Sequence, residues 1–231
     1  MPARLNLVLP VKNQARYKSN FIRIFEYAKA INASVMVVES GSADNSYQML
    51  EELKKNYVFE LVHIEEKGKG RAVKYGLGHA KESIAGFIDT DLAVSLSYIS
   101  KALTKFDEGY DMIIGNRYAP STNTKRKISR LFESKAYIWL IHLLYGSKIE
   151  DFQCGFKFVR TKYLPALLSY ANDDSWFFDT QLVLAAEKEG LKIFVLPVKF
   201  SDNNNTTVRF KDIFYLFKEA VKIKNIRKLR H

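Results

Sequence analysis

The chain is poor in the residues that staple or break a fold: one cysteine, five prolines and eleven glycines in 231 positions. A lone Cys154 closes no internal disulfide, so nothing calls for an oxidising compartment and a reducing cytosol is the expectation. Few Pro and Gly, beside 47% hydrophobic and 26% charged residues, exclude a collagenous, low-complexity or disordered chain. Long apolar runs are also missing. The longest, AYIWLIHLLY over 136–145, is about half the ~20 residues that span a bilayer, and it contains His142. The opening MPARLNLVLP has too short an apolar stretch for a signal peptide and runs into a proline. The expectation is one globular domain over 1–231 with no spanning segment.

Positive charge is abundant and uneven. Residues 1–120 hold 16 Lys and Arg against 14 Asp and Glu, whereas residues 121–231 hold 20 against 11. Such asymmetry points to an anionic partner for the second half, whether nucleic acid, acidic lipid or phosphate, with a merely solvated basic surface as the bland alternative.

Short apolar runs at 5–9, 34–39, 58–64, 83–89 and 111–115 alternate with helical periodicity over 17–31, 44–56, 69–81 and 96–107. This predicts an α/β fold, a doubly wound, mostly parallel sheet with helices on both faces. The second half reads as a helix over 128–145, a strand GFKFV, a helix from Phe178, a strand KIFVLPVKF and a basic helix from about Asp212. No linker separates the halves, so they are expected to share one core. Ligands of such sheets bind beyond the carboxyl ends of the strands, and the residues there carry the chemistry.

After the second strand, Gly41 suits a tight turn and Ser42 or Asp44 a helix cap. Glu39, an acid ending a buried strand, can accept from nucleobase N–H groups or ribose hydroxyls. KGKGR places Lys69 and Gly70 at a helix start, a weak diphosphate signal that fails the Walker pattern. Asp89-Thr90-Asp91 is sharper. One Asp there could cap a helix; two, one residue apart at a strand mouth, repel each other and favour a shared hard divalent cation, which can bridge nucleotide phosphates, over the cap. His63, His79, His142 and His231 fit neither a metal-ligand spacing nor a triad, and Cys154 reads as a small buried residue.

LVLPVKN, VVESGSADNS, KGKGRAVKYGL, FIDTDLAVS, GNRY, the basic segment with its long helix, DFQCGFKFVR and WFFDTQLVLAAEKEGLKIFVLPVKF follow one another in order. In this order they resemble family 2 glycosyltransferases of the GT-A fold, near the dolichyl-phosphate glucose and mannose synthases. The resemblance implies metal-dependent, inverting transfer of a hexose from a nucleotide sugar, UDP-glucose or GDP-mannose, to a polyisoprenyl phosphate. It implies nucleotide-sugar contacts from Pro10, Val11, Asn13, Glu39, Gly41, Ser42, Lys69, Gly70, Asp89, Thr90 and Asp91, with Mg²⁺ or Mn²⁺ on Asp89 and Asp91. Asp91, Arg117, Asp151, Gln153 and Lys157 are implied at the reacting sugar, and Arg117, Arg126 and Arg130 at the acceptor phosphate, where the guanidinium fork matches phosphate oxygens. Two departures stand out: the usual acid pair after the second strand is Glu39-Ser40, and the second acid after Asp179 is Gln181. The role of Asp179 stays open between helix cap, sugar contact and arginine partner.

A phosphate acceptor is already ionised and needs no general base. A family member acting on a saccharide or protein hydroxyl would need one. A non-catalytic binder of nucleic acid or anionic membrane would leave Asp89 and Asp91 without purpose, so no nucleic-acid partner is expected. The division expected is a nucleotide-sugar half (1–120), an acceptor half (121–210) and a basic amphipathic helix (211–231) that reaches an anionic membrane, with packing of its stripe on the domain as the equal alternative for residues 212–221. This makes the chain a peripheral protein of the cytoplasmic face, alone, as a homo-oligomer or with an integral-membrane partner.

Overall fold

A computed structural model describes residues 5–119, 128–201 and 210–222, with backbone alone for 128–133 and 210–213. Strands β1 (Leu5–Val11), β2 (Ser34–Ser40), β3 (Glu60–Ile64), β4 (Ile84–Ile88) and β5 (Met112–Asn116) alternate with helices α1 (Lys18–Ala30), α2 (Ser46–Leu53), α3 (Lys69–Gly78) and α4 (Ser97–Asp107). After them come α5 (Ile128–Tyr145), β6 (Phe156–Arg160), α6 (Leu164–Tyr170), α7 (Phe178–Lys188), β7 (Ile193–Pro197) and α8 (Phe210–Lys222).

The seven strands form one sheet in the order β3-β2-β1-β4-β6-β5-β7. All neighbours are parallel except at β6, which lies antiparallel between β4 and β5. The run IAGFI of β4 is buried along its whole length, as a central strand covered on both faces must be. One apolar cluster joins Val8, Met36 and Phe87 to Phe178, Leu182 and Ile141. The other joins Leu9, Val37 and Phe21 to Phe158 and Leu196. Each draws on both halves of the chain, so the shared core expected from the sequence is present.

Two differences from the sequence reading have local causes. Helix α6 had no counterpart in it, since TKYLPALLSY is short and carries a proline; Pro165 sits in the first turn, where its missing N–H costs nothing. Helix α8 buries Leu216 and Ala220 against α5, where the Tyr137 and Phe217 rings meet edge to face at 5.7 Å and the Tyr145 hydroxyl donates to the Ala220 carbonyl. That part of the expected apolar stripe serves the core.

Candidate active site

The site begins with a turn. Asp89 follows β4 directly, and its N–H donates to the Gly155 carbonyl at 3.0 Å. Thr90 points inward, 3% exposed, while its carbonyl accepts from Asn20 Nδ2 at 3.0 Å. Leu92 then takes a left-handed φ of 51°, a conformation a bulky side chain adopts at a cost of about 1–3 kcal/mol. The Ala93 N–H donates to Asp91 Oδ1 at 3.0 Å and fixes that carboxylate. The turn thus starts at Asp89 and holds the Asp91 carboxylate through the Ala93 N–H.

Burial raises the Asp91 pKa, and the Asp89 carboxylate raises it further. The two acids therefore sit close enough to repel, as a site for a divalent cation would make them do. Among the described residues no third His, Cys, Asp or Glu joins them. The donor set thus fits a hard cation that takes two protein carboxylates and completes its shell with phosphate and water, the habit of Mg²⁺.

Beside this pair runs a row of alternating charges. The Lys69 ammonium, on the first residue of α3, lies 2.9 Å from Asp89 Oδ1 and 3.3 Å from Asp179 Oδ2. Asp179, in the first turn of α7 and 1% exposed, also accepts from Lys157 Nζ at 2.6 Å. Lys157, equally buried on β6, donates again to the Cys154 carbonyl at 2.7 Å. Burial would lower the Lys69 pKa, but Asp179 and Asp89 outweigh it and raise it. Burial would raise the Asp179 pKa, but Lys157 and then Lys69 hold it below the usual carboxylate range. The question left open by the sequence is answered in part: Asp179 is the common partner of two lysines.

Gly155 makes this approach feasible, because a Cβ there would collide with the Asp89 carboxylate. Cys154 is 1% exposed and burial pushes its thiol up to about 12, which removes it as a nucleophile. Gln153 donates from Nε2 to Thr180 Oγ1 at 2.8 Å, and Thr180 shares a hydrogen bond with the Tyr137 hydroxyl at 2.7 Å. Arg117, just past β5, closes on Asp151 at 2.7–2.9 Å through Nε, Nη2 and its own N–H. The side chain expected to hold an acceptor phosphate is thus also the partner of a buried carboxylate.

The loops after β1 and β2 are laced together. Asn13 donates its N–H to Ser42 Oγ at 2.9 Å and accepts from the Ala43 N–H at 2.7 Å, while Gly41 takes a left-handed φ of 55°. Pro10 and Val11 end β1 beside β2. The Gly70 N–H donates to the Ser175 carbonyl at 3.1 Å, tying α3 to the loop before α7. Glu39 is buried at the end of β2, where one of its oxygens accepts from the Ser42 N–H at 2.6 Å and the other meets His63 Nδ1 at 2.5 Å. His63 was passed over in the sequence because its partner is remote in the chain; the parallel register of β2 and β3 pairs the two. Arg126 and the segment 223–231 lie outside the described residues, as does the side chain of Arg130. No helix among the described residues is long and apolar enough to cross a membrane.

The profile of glycosyl transferase family 2 matches residues 7–168. Glycosyltransferase AglD of Haloferax volcanii is 27% identical over 212 residues, which cover 88% of this chain and 34% of that protein. The dolichyl-phosphate beta-glucosyltransferase of Saccharomyces cerevisiae is 27% identical over 190 residues, 73% of this chain and 57% of its own. The chain thus spans only part of the length of either relative. Among solved structures, glucosyl-3-phosphoglycerate synthase from Mycobacterium tuberculosis in complex with UDP superposes with a TM-score of 0.69 at 15% identity, over 95% of this chain and 78% of that one. The same enzyme with Mn²⁺, UDP and phosphoglyceric acid gives 0.69 at 14%, over 95% and 76%. These neighbours share the GT-A fold, and the family match extends over most of the chain: it belongs to glycosyl transferase family 2.

Proposed function

We propose that the chain transfers a hexose from a nucleotide sugar, UDP-glucose or GDP-mannose, to a polyisoprenyl phosphate at a membrane surface, with inversion at the anomeric carbon. The observation that carries this reading is the mutually repelling Asp89 and Asp91 pair at the mouth of β4, with the Lys69 ammonium beside it. Asp89 and Asp91 would hold Mg²⁺ or Mn²⁺, which when bound supplies positive charge to the leaving diphosphate. Lys69 adds a fixed cation within reach of the same diphosphate. Asn13, Ser42 and Gly41 shape the loops where the nucleoside would sit, and Gln153, with both donor and acceptor atoms, suits sugar hydroxyls.

Proton accounting supports this acceptor. Asp151 is closed on Arg117, and Asp179 on Lys157 and Lys69, so neither is placed to take a proton from a hydroxyl. An ionised phosphate asks for none. The relation to the dolichyl-phosphate beta-glucosyltransferase of yeast supports the same acceptor class. Trp139, Leu143, Phe214 and Val221 are large apolar residues, each more than half exposed, on the packed helices α5 and α8. They give this reading a surface on which to meet lipid at the cytoplasmic face.

The decisive experiment is a thermal-shift screen of nucleotide sugars with and without Mn²⁺, followed by transfer assays with polyisoprenyl phosphate and with saccharide acceptors. A ligand that binds only the folded state raises the melting temperature by mass action. The expected result is a Mn²⁺-dependent shift with UDP-glucose or GDP-mannose, and transfer to the lipid phosphate. No shift with any nucleotide sugar would overturn the reading; transfer to saccharide alone would replace its acceptor.

A further inference from the structure

Glu39 and His63 stand opposite one another in the register of β2 and β3, each one residue before its strand ends. Glu39 is 1% exposed, so a base cannot reach it directly, and its two carboxylate oxygens meet the Ser42 N–H and His63 Nδ1. The polar group next outward is the imidazole itself. The His63 side chain is 47% exposed, and the Tyr47 ring meets it edge-on at 5.5 Å.

A carboxylate only accepts, so Nδ1 of His63 must donate to it, and in the neutral ring Nε2 then carries a lone pair. We infer that His63, its tautomer fixed by Glu39, reads the nucleobase of the donor and selects bases with a ring N–H. Uracil and guanine offer that donor. Cytosine and adenine present a ring nitrogen lone pair at the corresponding edge, which would face Nε2 and leave both acceptors unpaired. Glu39 is then a positioning residue, acting through His63. This inference rests on the nucleotide-sugar reading and names the class of base.

The test is titration calorimetry with UDP, GDP, CDP and ADP in Mn²⁺, on the wild-type chain, Glu39→Gln and His63→Ala. The wild type is expected to favour UDP or GDP at least tenfold over CDP and ADP. Glu39→Gln keeps an oxygen for the Ser42 N–H but offers an NH₂ to Nδ1, which turns Nε2 into a donor, so the preference should compress or reverse. His63→Ala should abolish the preference while UDP is still bound, with some loss of melting temperature because the buried Glu39 carboxylate keeps only the Ser42 N–H. An unchanged ratio in both variants would overturn the inference and leave the donor reading standing. Failure of the wild type to bind any of the four would overturn the donor reading, and this inference with it.

Discussion

Arg117 and Asp151 form a two-pronged ion pair, Nε to Oδ2 at 2.8 Å and Nη2 to Oδ1 at 2.7 Å, with 12% and 1% of the two side chains exposed. Such a pair is costly to break from one side, because the survivor is a buried charge. Asp151→Ala should therefore destabilise the fold by about 3–5 kcal/mol, and Asp151→Asn, which keeps one acceptor, by less. Guanidinium denaturation measures both. An Asp151→Ala midpoint equal to wild type would show that the pair carries no stability.

The acid limb of stability follows from the same groups. Burial alone would raise the Asp151 pKa, but Arg117 outweighs it and holds the group below the usual range; Lys157 and Lys69 do this for Asp179. A carboxylate whose folded pKa is depressed stabilises the fold above its unfolded value, near ~3.9, and that contribution is lost as pH falls through the folded pKa. Stability measured between pH 5 and pH 2 should fall, and a rise on acidification would contradict the assignment.

Asp91 has the opposite sign. Its folded pKa is raised, so its charge disfavours the empty fold, and the penalty grows as pH climbs from the unfolded value through the folded one. Asp91→Asn should raise the melting temperature at neutral pH while abolishing Mn²⁺-dependent nucleotide binding. A function carried at the expense of stability behaves this way. Retained Mn²⁺-dependent binding in the variant would remove Asp91 from the metal site.

Gly155→Ala pushes a methyl group into the Asp89 carboxylate. Overpacking of this kind costs about 1–3 kcal/mol, and here it also displaces a candidate ligand. The expected outcome is a modest loss of stability with a larger loss of Mn²⁺-dependent UDP binding. Equal affinity in calorimetry would mean that Asp89 does not contact the cation.

The exposed side chains of α5 and α8 give a fifth test. Trp139→Ser combined with Phe214→Ser should leave stability nearly unchanged, since both residues are mostly exposed, yet reduce sedimentation with anionic liposomes. Undiminished sedimentation would place the lipid contact elsewhere.

Much of this was readable from period and punctuation alone. The five strands alternating with four helices in the first half announce a covered parallel sheet, and Asp89-Thr90-Asp91 after a buried strand marks where a cation is proposed to sit. What escaped was relational. That β6 runs antiparallel between β4 and β5 depends on pairings made across the fold, not on its own five residues. Helix α6 is too short to show a period. The pairing of Glu39 with His63 escaped because sheet register, not sequence proximity, brings them together. Lys157 was expected at the reacting sugar, but its pairing with Asp179, on another element, shows only in the fold.

The place of β6 also sets the order in which the site can come into being. A chain emerging from its N-terminus finishes β4 and β5 long before the strand that belongs between them, so both wait with unpaired edges. Contacts this distant in sequence slow folding, and open edges invite pairing with other chains. Asp89 is held against Gly155, and Lys69 against Asp179, only once that late strand and α7 have docked. A fragment ending at residue 120 should accordingly carry most of the donor motifs and yet aggregate and fail to bind nucleotide, which light scattering and calorimetry would reveal. Half of the sequence is thereby made the chaperone of the other.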